Sequence, residues 1–199
     1  MSLLSKSELN ASEIAQVKHL IERHRSEGES FKAMGDWRSA MRSYLSLIPY
    51  LDKLYGMDSL ECANGFIGLG ECSICIGEIE GAEEAFNQVL KVRESKEFGG
   101  LGLGSKEEAA QAREYLARLK EKQGQLVRAR ALRARGEKDK SMRCSNMKCT
   151  KSLLRREALN ACSGCRCAFY CSTECQFDWS RHKAPCKENG AAAKTLMAA

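Results

Sequence analysis

Residues 162–186 read CSGCRCAFYCSTECQFDWSRHKAPC, and this stretch governs the fold of the C-terminal part of the chain. It holds six cysteines and one histidine within 25 residues. Cysteines in such a cluster can be metal ligands, disulfide partners or reactive thiols. The N-terminus of the chain lacks the pattern of a secretory signal, in which a basic start precedes an apolar core. We therefore expect an intracellular, reducing setting. In that setting metal explains the cysteines better than disulfides do.

Two further cysteines extend the pattern to C-x4-C-x12-C-x2-C-x5-C-x3-C-x6-H-x3-C. Zinc favours four Cys or His ligands in a tetrahedron, so eight candidates predict two sites. A segment this short cannot support itself with a hydrophobic core, whereas structural zinc contributes on the order of 10–16 kcal/mol. Because every position is filled by a protein ligand, both ions are expected to be structural, with no catalytic water. The candidate ligands are Cys144, Cys149, Cys162, Cys165, Cys171, Cys175, His182 and Cys186.

This pattern resembles the MYND zinc finger. RING, LIM and simple two-ligand fingers are the competing classes, but RING places its histidine near the middle of the ligand order, whereas here it is seventh. The resemblance implies interleaved ligands, so that loss of one is expected to collapse the whole module. It assigns Cys144, Cys149, Cys171 and Cys175 to one zinc, Cys162, Cys165, His182 and Cys186 to the other, and no metal to Cys167. The markers that carry it are Tyr170-Cys171-Ser172, Glu174-Cys175-Gln176, Asp178-Trp179, His182-Lys183 and Cys186.

The same resemblance implies a docking module for short proline-containing peptides of partner proteins. In that family the glutamine after the sixth cysteine and the following tryptophan line the peptide pocket, which corresponds to Gln176 and Trp179. This chain has six residues between Cys175 and His182, where members of the family usually have seven. The alternative for Trp179 is packing against its own zinc site.

The region before the finger predicts helices in pairs. Gly35, Gly77 and Gly124 are each followed two residues on by a large apolar residue and five on by alanine. In the first two cases an aromatic residue lies nine on, at Tyr44 and Phe86. Glycine ends one helix in a left-handed turn, and alanine lets the next helix approach closely. The pattern therefore predicts helical hairpins over about residues 20–135.

These hairpins resemble the tetratricopeptide repeat, which has the same order of glycine, apolar residue, alanine and aromatic. Two features depart from it. The turn glycines lie 42 and 47 residues apart, where the repeat has a period of 34, and Arg133 occupies the aromatic position of the third unit. The resemblance implies a groove that docks peptides; the alternative is a plain helical bundle in which glycine and alanine serve packing alone.

Charge is unevenly distributed along the chain, which has 199 residues and a net charge of +6. Residues 1–112 carry 12 Lys/Arg and 18 Asp/Glu, whereas residues 113–156 carry 15 and 4. A basic segment can contact nucleic acid, or it can be a solvated helix face that balances an acidic neighbour. No aromatic residue is interleaved with its later arginines to stack on bases, which disfavours nucleic acid.

The sequence thus predicts a mainly α protein: a tetratricopeptide-like helical domain (1–135), a basic linker (136–143), a two-zinc cross-braced MYND finger (144–186) and a disordered tail (187–199). The function expected is a non-enzymatic adaptor that docks proteins through the finger and the helical groove. Its expected context is transcriptional or assembly regulation, in the cytoplasm or the nucleus and not in a membrane. One alternative is a nucleic-acid-associated regulator that binds through residues 113–156. The other is an accessory fragment related to the SET/MYND methyltransferases, without their catalytic domain.

Overall fold

The computed structural model describes residues 9–94, 104–177 and 180–196. The chain divides into two compact units, Met1–Gly104 and Ser105–Ala199. The first contains α1 (Ala11–Ala33), α2 (Trp37–Tyr55), α3 (Leu60–Ile76) and α4 (Ile79–Glu94). The second contains α5 (Lys106–Lys122), α6 (Leu126–Ala134), α7 (Thr173–Phe177) and α8 (Ser180–Leu196), with the short strands β1 (Asn160–Ala161) and β2 (Phe169–Tyr170). The mainly α class predicted from the sequence is confirmed.

Local sequence signals set the ends of these helices. Asn10 caps α1 through a capping box with Glu13, in which each side chain accepts a hydrogen bond from the other residue's backbone N–H. Ser59 caps α3 and Ser105 caps α5. In each case the serine side chain accepts a hydrogen bond from the backbone N–H three residues further along the chain. The three turn glycines all have positive φ, between +73° and +86°, as a left-handed helix end requires.

Each hairpin of the first unit closes with an aromatic ring on glycine. Within the hairpins, a Cβ on Gly70 would lie 2.7 Å from Cζ of Phe86, and one on Gly28 of α1 would lie 3.1 Å from the ring of Tyr44. Between the hairpins, a Cβ on Gly68 of α3 would lie 2.3 Å from the same Tyr44 ring. Both rings are buried, with at most 3% of their surface exposed. The absent side chains on α3 therefore make the space that the aromatics of α2 and α4 fill. The N-terminal region is helical, as the resemblance to the tetratricopeptide repeat implies.

The second unit joins a helical hairpin to the cysteine-rich segment. Helix α5 packs against α6, and α8 packs against both. Strands β1 and β2 pair antiparallel, and Met142 forms an isolated antiparallel bridge with Leu154. The cysteines, Phe169, Tyr170 and Met142 share one buried cluster with Leu126 of α6 and Ala193 of α8.

This arrangement differs from the expected boundaries in three places. The third hairpin, α5–α6, lies in the same compact unit as the finger, where the sequence placed it with the helical domain. Residues 136–143, expected to be a linker, include the buried residues Gly136, Ser141 and Met142, because this segment bridges to Leu154. Residues 187–196, expected to be disordered, continue α8, in which Ala193 is buried against the unit's core. Residues 197–199 lie outside the described part of the chain.

In the described part of the chain, no helix combines the length and the apolar character needed to cross a membrane.

Candidate metal centre

The eight predicted ligand residues come together as two separate groups of four. In each group the candidate ligand atoms all lie within 4.8 Å of one another. In the first group one residue is buried and three are half-buried, whereas all four residues of the second group are buried. The first consists of Cys144, Cys149, Cys171 and Cys175, and the second of Cys162, Cys165, His182 and Cys186. This grouping is the one that the resemblance to the MYND finger implies.

Distances between the ligand atoms fit tetrahedral zinc. With zinc–sulfur bonds of about 2.3 Å, the edge between two sulfurs of a tetrahedron is about 3.8 Å, and the edge between sulfur and nitrogen is about 3.5 Å. The Sγ atoms of Cys149 and Cys171 lie 3.6 Å apart, and those of Cys162 and Cys186 lie 3.8 Å apart. Sγ of Cys165 lies 3.4 Å from Nε2 of His182.

The same distances exclude disulfides between these residues. A disulfide requires two sulfurs about 2.05 Å apart, and all of these cysteines are free. Burial raises the pKa of the Cys144 and Cys186 thiols. A divalent cation between the sulfurs reverses that effect, because it stabilises the thiolates that coordinate it. The two clusters therefore fit two structural zinc ions.

Backbone geometry around Cys165 holds its sulfur in place. The backbone N–H of Cys167 donates to Sγ of Cys165 over 3.3 Å, while the Cys167 thiol donates to the Cys165 carbonyl over 3.2 Å. Gly164 permits the close approach of Cys186, since a Cβ there would lie 2.8 Å from its Sγ. Cys167 itself is buried and belongs to neither group.

The two groups alternate along the chain. Each takes its first pair of residues from one segment and its second pair from another, so that residues 162 and 165 lie between the two halves of the first group. The strand pair β1–β2 connects the halves, since β2 leads directly into Cys171. Helix α8 carries both His182 and Cys186, four residues apart and therefore on one helix face.

A buried ion network from α5 and α6 lies beside the second group. Arg133 is 5% exposed, and its guanidinium pairs with Glu114 at 2.8 Å and with Glu121 at 2.5 Å. It also donates to the backbone carbonyl of Cys167 over 2.8 Å. Burial alone would raise the pKa of Glu121, but the guanidinium of Arg133 holds that pKa below its usual range. The carboxylates in turn keep the pKa of Arg133 above its usual range despite burial.

The sequence pattern did not predict this network as a functional element. The signal was present: Arg133 stands nine residues after a turn glycine, where the other hairpins have an aromatic. On α5, the residue seven positions before that glycine is Ala117, and this residue faces the arginine's position on α6. Glu114 lies three residues before Ala117, and Glu121 lies four residues after it. These offsets put both carboxylates on the face of α5 that receives the arginine.

The residues predicted to bind peptide are described only in part. Gln176 lies on α7, is half-buried, and its backbone N–H donates to the carbonyl of Ser172 over 3.2 Å. Trp179 lies outside the described residues. Phe177, which the sequence analysis did not single out, follows Gln176 on α7 with 85% of its surface exposed.

Two interleaved tetrahedral clusters in a small module with little secondary structure define a cross-braced zinc finger. Residues 133–186 match the family model of the MYND finger, so this part of the chain is a MYND finger: a zinc-binding, non-catalytic module for protein interaction. No curated protein and no solved structure shows significant similarity to the chain.

Proposed function

We propose that the protein is a non-enzymatic adaptor whose MYND finger, held by two zinc ions, docks a peptide segment of a partner protein. The observation that carries the proposal is the pair of Cys/His clusters with the spacing of tetrahedral zinc inside the segment that matches the finger. The proposed ligands are the four members of each cluster. Cysteines that hold zinc instead of forming disulfides are typical of a reducing setting, which supports a location inside the cell.

Zinc stoichiometry tests the ligand set. Native mass spectrometry of the full chain is expected to find two zinc ions, and Cys162→Ser is expected to lose at least the zinc of the Cys3His cluster, and both ions where the cross-braced module collapses. Cys75→Ser is the matched control, because Cys75 is exposed on α3 and belongs to neither cluster. A wild-type protein without zinc, or a Cys162→Ser protein with two zinc ions, would overturn the assignment.

The proposed docking face of the finger is α7 and the residues that follow it. Gln176 and Trp179 correspond to the pocket residues of the family, and the exposed ring of Phe177 adds apolar surface beside Gln176. Proline prefers an extended conformation with little entropy to lose on binding, and aromatic surfaces receive it well. The partner segment we propose is therefore short and contains proline.

A peptide array probed with the zinc-loaded protein tests this face. Binding to proline-containing peptides is expected to fall at least tenfold in Gln176→Ala, Trp179→Ala and Phe177→Ala, while zinc content stays at two ions. Thr173→Ala serves as the control, since Thr173 is exposed on the same helix. Proline-containing peptides that bind equally to all four variants would exclude this face.

A second docking surface is proposed on the first unit. A groove of about 370 Å³ between α2, α3 and α4 is lined by apolar side chains and carries Glu78 and Glu84 on its exposed rim. Leu45 is 50% exposed at its edge. The apolar floor with an acidic rim suits a peptide that presents an apolar side chain between basic residues. Its apolar lining consists of Met41, Leu45, Met57, Phe66, Leu69 and Ala85.

Leu45→Asp and Glu84→Lys are expected to remove binding of such peptides, measured by fluorescence anisotropy. Met34→Asp is the control, because Met34 is 66% exposed on the same unit and does not line the groove. Basic–apolar peptides that bind all three variants with wild-type affinity would leave the plain helical bundle as the better description of this unit.

The nucleic-acid alternative receives less support from the basic segment 113–156. Arg113 and Arg133 are buried, and Arg113 donates to the carbonyl and the hydroxyl of Ser141, each over 2.7 Å. Arg130 and Arg156 lie over the ring of Phe169 at 5.3 and 4.8 Å. These charges serve the fold of the unit. Salt-dependent binding of duplex DNA or RNA at submicromolar concentration would reverse this preference.

The methyltransferase alternative concerns the relation to the SET/MYND enzymes. A SET domain has its own set of strands, whereas the described residues form two strands of two residues each. An assay with a labelled methyl donor tests it, and turnover above background would contradict the adaptor.

A further inference from the structure

We propose that Glu121 of α5, which lies outside the segment that matches the family, positions the zinc ligand His182, and that the α5–α6 hairpin is thereby a working part of the finger. The proposal rests on the ligand set proposed above. It concerns a residue that sits 12 positions before the matched segment begins, where neither the motif nor the spacing of the finger points to it.

The two nitrogens of the His182 ring face different partners. Nε2 faces the sulfur of Cys165 at 3.4 Å, within the cluster of ligand atoms. Nδ1 lies 3.2 Å from Oε1 of Glu121, a close electrostatic contact rather than an aligned hydrogen bond. A neutral imidazole carries one proton, and a carboxylate beside Nδ1 favours that proton there, which leaves the lone pair of Nε2 for the metal. The contact therefore selects the tautomer that can coordinate.

Burial makes this contact effective. Both side chains are nearly inaccessible, with 8% and 5% of their surface exposed. Water cannot easily replace the carboxylate as the acceptor for Nδ1 at such a site. Partners of this kind orient a metal-binding histidine and make it a stronger ligand, and their loss typically weakens metal binding about 10- to 100-fold.

Arg133 fixes Glu121 in turn. Its Nη1 lies 2.5 Å from the same Oε1 that faces His182, and its other nitrogens pair with Glu114. The guanidinium thus keeps the carboxylate charged and stationary although it is buried. Since Arg133 also binds the carbonyl of Cys167, one side chain fixes both the acceptor of His182 and the turn that follows Cys165.

The test compares Glu121→Ala with two matched variants in the full, zinc-loaded chain. Glu107→Ala removes an exposed carboxylate from the same helix. Glu114→Ala removes the other carboxylate that pairs with Arg133 and keeps the carboxylate of Glu121 beside His182. Competition with a chromophoric chelator gives the affinity of each zinc, and the long-range ¹⁵N–¹H spectrum of the histidine rings gives the tautomer and the exchange of the Nδ1 proton.

We expect Glu121→Ala to bind one of the two zinc ions about 10- to 100-fold more weakly and to expose the His182 Nδ1 proton to rapid exchange. Glu107→Ala is expected to match the wild type in both measurements. Glu114→Ala is expected to lower stability while the ring spectrum of His182 stays as in the wild type. Should Glu121→Ala not fold, Glu121→Gln replaces it: the amide keeps an acceptor oxygen but no charge, and a smaller loss of affinity at the same site is expected.

Wild-type affinity and wild-type ring spectrum in the Glu121 variants would overturn the proposal. So would a Glu114→Ala protein whose His182 spectrum changes as much as that of Glu121→Ala, because the effect would then be general destabilisation. A wild-type chain that holds no zinc is a distinct result, since it refutes the ligand set itself.

Discussion

Tyr44 and Phe86 in the first unit and Arg133 in the second stand at the same position, nine residues after the turn glycine of their hairpins. The first two rings fill space left by glycines of α3, and the hydroxyl of Tyr44 also donates to the carboxylate of Glu29 on α1. Arg133 is equally buried but meets two carboxylates and a backbone carbonyl. One repeat position thus closes a hairpin in one unit and connects the hairpin to a metal site in the other.

This difference in chemistry predicts a difference in what each unit depends on. The first has an apolar core of its own, built around residues such as Leu47 and Leu51. In the second unit, the buried cluster around the finger consists largely of cysteines and the residues between them. The first unit is therefore expected to fold without metal, and the second is not.

The largest expected effect is the removal of zinc. A strong chelator is expected to abolish amide-exchange protection in the finger while helices α1–α4 keep theirs, because structural zinc supplies on the order of 10–16 kcal/mol to small fingers. Hydrogen exchange with mass spectrometry of the whole chain measures both units in one sample. Simultaneous loss of protection in residues 11–94 would show that the units do not differ in this respect.

Replacement of Arg133 is expected to have the next largest effect. Arg133→Met leaves Glu114 and Glu121 buried without their main partner, which is expected to cost about 3–5 kcal/mol. Denaturation by urea, followed on the zinc-loaded protein, measures the change for the second unit. Arg128→Met, at an exposed position of the same helix, is the control and should lie within about 0.5 kcal/mol of the wild type. A comparably small effect at Arg133 would mean that the arginine merely fills space, as the aromatics do.

Glycine substitutions probe the aromatic closure of the first unit. Gly70→Ala puts a methyl group 2.7 Å from the Phe86 ring, and such overpacking typically costs about 1–3 kcal/mol. Gly81→Ala is the matched control within α4, where the new methyl group meets nothing closer than 3.7 Å. There alanine is expected to stabilise the helix by roughly 0.5–1 kcal/mol. The two variants should shift the thermal midpoint in opposite directions, and equal shifts would contradict close packing at Gly70.

The smallest effect is expected for an ion pair at the surface. Lys91 pairs with Asp58 at 2.8 Å, but both side chains are about half exposed. Lys91→Ala is therefore expected to cost less than about 1 kcal/mol, and less still in high salt. Comparison of the losses in stability of Lys91→Ala and Arg133→Met separates the contribution of burial from that of charge. A cost near that of the Arg133 variant would remove the distinction between the two kinds of pair.

The sequence predicted the parts of the fold that depend on local spacing. The turn glycines placed all three hairpins, since a left-handed turn is a local requirement. The order of eight Cys and His residues predicted two clusters, which the structure forms from the residues that the family resemblance grouped. The number of ligands predicts two sites because zinc takes four, while the family resemblance implies which four share an ion.

The boundaries between units could not be predicted in this way. These boundaries depend on which surfaces pack together. The third hairpin has the glycine and alanine of a repeat, yet it lies in the same compact unit as the finger. Residues 187–196 are polar and rich in alanine, so their helix is supported by contacts of Ala193 and Gly190 that are distant in sequence. A Cβ on Gly190 would lie 3.3 Å from that of Cys165, an approach that no local pattern reveals.

Helix α8 has a practical consequence for anyone who isolates the finger. The segment that matches the family ends at residue 186, in the middle of a helix that continues to Leu196, and it omits the whole of α5. A fragment cut at those limits would leave His182 without Glu121 and Arg133 without either carboxylate. The smallest autonomous piece that contains the finger should therefore be sought from residue 105 to residue 196, a span of 92 residues against the 54 of the matched segment.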